Sequence, residues 1–151
     1  MTDVRFYHLT KTPLENALPK MLEKVLEREQ KAVVLSSDER QLSDLDQGLW
    51  SYRAESFLPH GTKRDGAIAE HPIWLTTDTG ETSEAEVLFV VHGAKPVDLE
   101  KASASLCAIL FDGNNSSAVQ DARALWKDLK AGSHELTYWQ QTERGSWEKK
   151  A

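Results

Sequence analysis

Apolar and polar positions along the chain change period several times, and each change marks a predicted element. Val4, Phe6 and Leu9, with the aromatic Tyr7 among them, predict a first strand from Val4 to Leu9. Leu14, Leu18, Met21, Leu22, Val25 and Leu26 then recur at helical spacing. Ahead of them Thr12-x-x-Glu15 has the form of a capping box, and Pro13 suits the first helical position. Pro19 removes one bond of the helical ladder, which predicts a kink there or a helix that properly starts there. Lys31 to Leu35 is a short apolar run of strand type. Ser36-x-x-Glu39 offers a second capping box, opening a helix whose Leu42, Leu45 and Leu49 line one face up to Trp50.

Ser51 to Ala69 carries no regular pattern and contains Pro59, Gly61 and Gly66. Strands are predicted from His71 to Thr77 and from Glu86 to His92, with turn chemistry at Asp78-Thr79-Gly80-Glu81 between them. A fifth runs from Ser105 to Phe111 and closes at Asp112-Gly113-Asn114-Asn115. The last helix is predicted from about Ser116 to Ala131, with Gly132 as its C-terminal cap and an apolar stripe of Val119, Ala122, Leu125, Trp126 and Leu129. Glu135 to Trp139 predicts a final strand, followed by a polar tail. Strands alternating with helices, several of the strands continuously apolar, predict an α/β fold of three layers: a sheet with helices on both faces. No repeat or low-complexity linker interrupts the pattern, so one domain over 1–151 is expected.

Composition adds exclusions. The chain has 151 residues, 40% hydrophobic and 28% charged, enough for a buried core. No apolar run approaches the roughly 20 residues that span a bilayer. The first residues show neither a basic start nor a small-residue cleavage site, so a cytoplasmic location is expected. The one cysteine, Cys107, lies in the apolar run Leu106 to Phe111 and is read as a buried small hydrophobe. A net charge of -6 argues against wrapping a nucleic-acid backbone. The charge is unevenly spread. Asp65 to Glu100 holds eight acids and one base, whereas seven bases meet six acids from Lys101 onward, so an acidic partner would prefer the C-terminal third.

Catalytic motifs are absent: there is no GxGxxG, GxxxxGK[ST] or GxSxG. Gly113 to Ser117 could cradle a phosphate at a helix start, but a loop ending in an N-cap is the simpler account. The histidines His8, His60, His71, His92 and His134 stand singly, with no metal-binding spacing, and neither a metal nor a cofactor is expected. His8 and His92 fall at strand ends, where sheet folds place sites, and they carry the rival reading of a small α/β enzyme. Asp38, Asp44 and Asp46 are read as the solvated face of the second helix. Five tryptophans are many for this length, and Trp50, Trp126 and Trp139 are placed where a partner could meet them.

Leu45-Asp46-Gln47-Gly48-Leu49-Trp50, followed by Glu55-Ser56-Phe57-Leu58-Pro59-His60, resembles the chi subunit family of DNA polymerase III in the pattern LDxxLWxxxxESFxPH. Phe6-Tyr7, Ala122-Arg123, Trp126-Lys127 and the closing Trp147 fit the same family, while Gly61 to Lys101 matches it poorly. The resemblance implies a Rossmann-like α/β fold without a nucleotide site and a non-catalytic subunit of the replicase. It further implies binding to the acidic C-terminal tail of single-stranded-DNA-binding protein, and a second surface for the psi subunit or, in some bacteria, a helicase. A chain that is monomeric alone is expected, with no specific DNA binding and no membrane contact.

Carried over by residue, the tail site falls on Arg123, Trp126 and Lys127. The spacing agrees, because Arg123, Lys127 and Lys130 at i, i+4 and i+7 share a helix face beside Trp126. A tail of aspartates ending in Pro-Phe needs cations for its carboxylates and an apolar slot for its ring. Val119 stands where some members carry another base one turn before the arginine. Two accounts of Trp126 stay open at this stage, a wall of the slot or a core residue beneath a solvated basic face. The second surface would centre on Trp50 and Phe57 with Pro59 shaping the loop, unless Trp50 simply ends its helix against the sheet.

Overall fold

The computed structural model describes residues 2–50, 60–62, 71–96, 104–132 and 134–151. In chain order the elements are β1 (Asp3–Leu9), α1 (Leu14–Glu27), β2 (Ala32–Leu35), α2 (Glu39–Trp50), β3 (His60–Gly61), β4 (Ile73–Thr76), a 3-10 helix (Thr79–Glu84), β5 (Val87–Val90), β6 (Leu106–Asp112), α3 (Ser116–Lys130), β7 (Glu135–Gln141) and β8 (Trp147–Lys149). One eight-stranded sheet has the order β3-β4-β2-β5-β6-β1-β7-β8. Every pairing is parallel except that of β7 with β8. Continuous apolar runs such as Ala32–Leu35 and Val87–Val90 are buried at every position, as a sheet covered on both faces requires.

Alternation sorts the strands' side chains into two cores. Leu18, Leu22 and Val25 of α1 and Leu42, Leu45 and Leu49 of α2 meet Val34, Leu75, Phe89 and Leu110 on one face. On the other, α3 covers Val4, Phe6, Leu88, Cys107, Ile109 and Phe111. Cys107 has no exposure, and burial pushes its thiol up to about 12, so it stays protonated. The layered α/β fold read from the sequence is the fold of the chain. Among the described residues no helix is long and apolar enough to cross a membrane.

Several local expectations are overturned by long-range competition for the same polar atoms. Thr12 does not cap α1. Its hydroxyl accepts from Gln141 Nε2 at 2.7 Å, and Pro13 holds the N-cap position without a side-chain bond. The helix starts at Leu14 and runs through a buried Pro19, so it does not begin at that proline. Ser36 is likewise engaged elsewhere, with His92 Nδ1 at 2.7 Å, and Asp38 caps α2 by accepting from Arg40 N and Gln41 N. Asp46 is no mere solvated acid either, since its Oδ1 lies 3.0 Å from Nε2 of the buried His60. The turn at 78–81 tightens into the 3-10 helix, with Asp78 accepting from Gly80 N. His60–Gly61, placed in the irregular stretch, pairs with β4, and the rest of that stretch up to residue 70, apart from Thr62, lies outside the described residues. The C-cap of α3 is Ala131 in the right-handed region, with Gly132 N donating to Leu129 O. The supposed polar tail holds β8, anchored by Trp147 edge-on to Tyr7 at a centroid distance of 5.0 Å.

Candidate partner-binding site

The candidate site is built on α3. Asn115 opens the helix, its side chain accepting from Ser117 N and Ala118 N, which satisfies two amides that would otherwise lack partners. Ala122 is buried against the sheet, with Ala118, Val119, Leu125, Trp126 and Leu129 partly buried around it, as the predicted stripe requires. Arg123, Lys127 and Lys130 are exposed, and among the described residues none of them has an ion-pair or hydrogen-bond partner. At about 100° per residue they form one ridge, and Trp126 lies on its border with the apolar stripe. Asp121 and Asp128 fall roughly on the opposite flank, so they do not neutralise the ridge. Trp126 is partly buried, packed against the core beneath α3 with part of the residue open to solvent.

The ridge leans toward β7. Trp126 meets Phe6 edge-on at 5.2 Å and Tyr138 edge-on at 6.0 Å between ring centroids. Tyr138 also touches His8 and Phe111, at 5.9 and 6.1 Å. His8 Nδ1 and the Tyr138 hydroxyl are 2.5 Å apart. Burial lowers the His8 pKa, and the nearby Arg123 charge adds to this against a Gly113 backbone hydrogen bond and Asp112, which raise it. Burial raises the Tyr138 phenol, while Arg123 works the other way. Both effects put the guanidinium of Arg123 within electrostatic reach of the His8–Tyr138 pair. Sequence reasoning named His8 only for catalysis and missed Tyr138. The available signal was alternation, which places Val4, Phe6 and His8 on the α3 face of β1 and Leu136 and Tyr138 on that of β7.

The opposite flank of α3 borders a cavity of about 670 Å³ at the carboxyl ends of β1, β5 and β6, lined by Lys11, His92, Lys95, Asp112 and Asp121 among others. His92 adopts φ of 56°, and burial lowers its pKa despite Glu15, Asp38 and Asp44, which raise it. His8 is not part of that lining. Because β6 stands between β1 and β5, the two histidines are about 10 Å apart or more, and each has its own neighbour in Tyr138 or Ser36. They do not converge on one reacting point. Among the described residues no group of three or more His, Cys, Asp or Glu could hold a metal ion. Of the second surface, Trp50 is the last residue of α2, while Phe57 and Pro59 lie outside the described residues. Trp139, the remaining tryptophan considered for a partner, is partly buried in β7 and donates from Nε1 to Thr137 Oγ1.

Comparison with known proteins decides the family. The family model described as DNA polymerase III chi subunit, HolC, matches residues 1–137. The chain belongs to the DNA polymerase III chi subunit family. A Rickettsia prowazekii (strain Madrid E) protein named probable DNA polymerase III subunit chi is 31% identical over 101 residues. That stretch spans 67% of this chain and 59% of the relative, so the chain matches somewhat less than two thirds of the relative's length. The family match takes in β1, α2 and the whole of α3, the elements that carry the Phe6-Tyr7, LDxxLW and Ala122-Arg123 signatures.

Proposed function

We propose that this chi-family chain is a non-catalytic adaptor, which receives the acidic C-terminal tail of single-stranded-DNA-binding protein on α3 and so ties it to the replicase. The observation that carries the reading is the ridge of Arg123, Lys127 and Lys130, exposed and without an ion-pair partner among the described residues, beside the partly buried Trp126, in a chain whose net charge is -6. Arg123 can grip a carboxylate bidentately, Lys127 and Lys130 act as point charges, and Trp126 walls the slot for the tail's ring. The second surface, centred on Trp50, Phe57 and Pro59, joins the chain to psi or an equivalent clamp-loader or helicase partner.

So small an interface, held largely by charge, binds at micromolar strength and weakens as salt rises. Calorimetry with a synthetic tail peptide tests it. Arg123→Ala should cost roughly 1.5–3 kcal/mol, the range for hydrogen bonds to charged groups. A folded Arg123→Ala protein that binds the peptide as tightly as the unaltered chain would refute the site. The sheet-edge enzyme is the less supported alternative, because His92 lines the cavity without His8 and each histidine is bonded to its own neighbour, Ser36 or Tyr138.

A further inference from the structure

The aromatic side chains under the ridge form two tiers. Phe6 and Phe111 lie buried, at 0% and 8% exposure, and Trp126, Tyr138 and His8 stand above them, all partly open. The upper tier is one connected set, since Tyr138 is edge-on to both Trp126 and His8, with interplanar angles of 74° and 72°. It exists because β1 is flanked by β6 and β7, which puts His8 beside Phe111 and Tyr138 on the sheet face that α3 only partly covers.

The hydrogen bonds fix how this tier presents itself. The Gly113 backbone raises the proton affinity of His8 against the lowering by burial. Gly113 leaves room for it, because a Cβ at that position would fall 2.0 Å from His8 Nε2. The Tyr138 hydroxyl and His8 Nδ1 are hydrogen-bonded to one another at 2.5 Å. With its one polar atom turned into His8, Tyr138 offers ring face and edge, and the free cations of Arg123 and Lys127 border the same patch. Cations beside a satisfied, partly exposed aromatic floor complement a peptide that is both anionic and aromatic, which identifies its occupant.

Resting on the adaptor reading above, we infer that Tyr138, held by His8 over Gly113, is the floor of the slot and takes the terminal aromatic ring of the acidic peptide against Trp126. His8 is a positioning residue, and Tyr138 contacts the ligand.

A double-mutant cycle tests the contact. Two synthetic acidic peptides, one ending in phenylalanine and one in alanine, are titrated into the full chain and into Tyr138→Leu, Tyr138→Phe, His8→Leu and Arg123→Ala. Tyr138→Leu should weaken the phenylalanine peptide roughly three- to tenfold, in line with the coupling of aromatic pairs, and the alanine peptide much less. Tyr138→Phe keeps the ring and should bind within about twofold, and His8→Leu should fall between. Arg123→Ala should weaken both peptides alike, because it meets their carboxylates. If Arg123→Ala weakens binding while Tyr138→Leu affects both peptides equally or not at all, the floor is refuted and the adaptor reading stands. If no variant weakens binding, both fall. Photocrosslinking keeps the test independent of whether Tyr138→Leu folds. A peptide carrying benzophenone at its last residue should label residues 126 and 136–140 of the unaltered chain, and labelling confined elsewhere overturns the inference.

Discussion

Gln141 is the most consequential polar residue outside the ridge, and replacing it by leucine gives a sharp test of how the fold is tied. The side chain is buried at 6% exposure near the end of β7 and reaches across to the loop between β1 and α1. Its Oε1 accepts from Thr10 N at 3.2 Å, Lys11 N at 2.9 Å and Thr12 N at 2.9 Å. Its Nε2 donates to Thr12 Oγ1 at 2.7 Å. Leucine is close in size, so the change removes the bonds with little new cavity. Three loop amides lose their acceptor at a net cost of roughly 1 kcal/mol each, with water recovering part where they are only half-buried. The expected loss is about 3 kcal/mol, which moves a urea midpoint down by about 1.5 M for a chain of this size. The amides of Thr10, Lys11 and Thr12 should also lose hydrogen-exchange protection before the rest of the sheet does. A loss below about 1 kcal/mol with those three amides still protected would refute the reasoning.

Two further predictions concern the seat of His8. In Gly113→Ala the new methyl would lie 1.9 Å from His8 Cδ2 and 2.7 Å from the Leu9 carbonyl oxygen. The ring can yield but the backbone cannot, so thermal unfolding should show a loss of about 1–3 kcal/mol, and unchanged stability would contradict the packing described. Stability should also fall on acidification from pH 7.5 to 5.5. Burial lowers the His8 and His92 pKa values, so in that window the unfolded chain binds more protons than the folded one, and stability rises with pH. His8→Leu should flatten that slope in denaturant titrations, and an unaltered slope would show that His8 does not titrate as stated.

Much of the architecture was legible because it rests on periodicity. The Leu14–Leu26 and Leu42–Leu49 spacings and the stripe of α3 each predict a helix with one apolar face, and each packs that face on the sheet. The basic ridge was legible for the same reason, since i, i+4 and i+7 need no tertiary information. What failed was local polar chemistry with a distant competitor. Thr12 and Ser36 both sit in capping-box patterns, but Gln141, 129 residues from Thr12, and His92, 56 residues from Ser36, offer them other bonds. The second strand of the C-terminal hairpin was missed because Trp147–Lys149 is too short and polar to show alternation, and only Trp147 against Tyr7 secures it. The His8–Tyr138 pair was hidden because strand order, which periodicity does not supply, brings β1 beside β7.

Where the tail lands on the chain can be mapped residue by residue. Backbone amide shifts of the labelled chain should be followed while the acidic tail peptide of single-stranded-DNA-binding protein is titrated in. The largest changes should cluster on the Arg123–Lys130 half of α3 and on β7 around Tyr138, and shrink with added salt. Changes centred instead on the cavity beside His92 and Lys95, or none at all at saturating peptide, would contradict that placement.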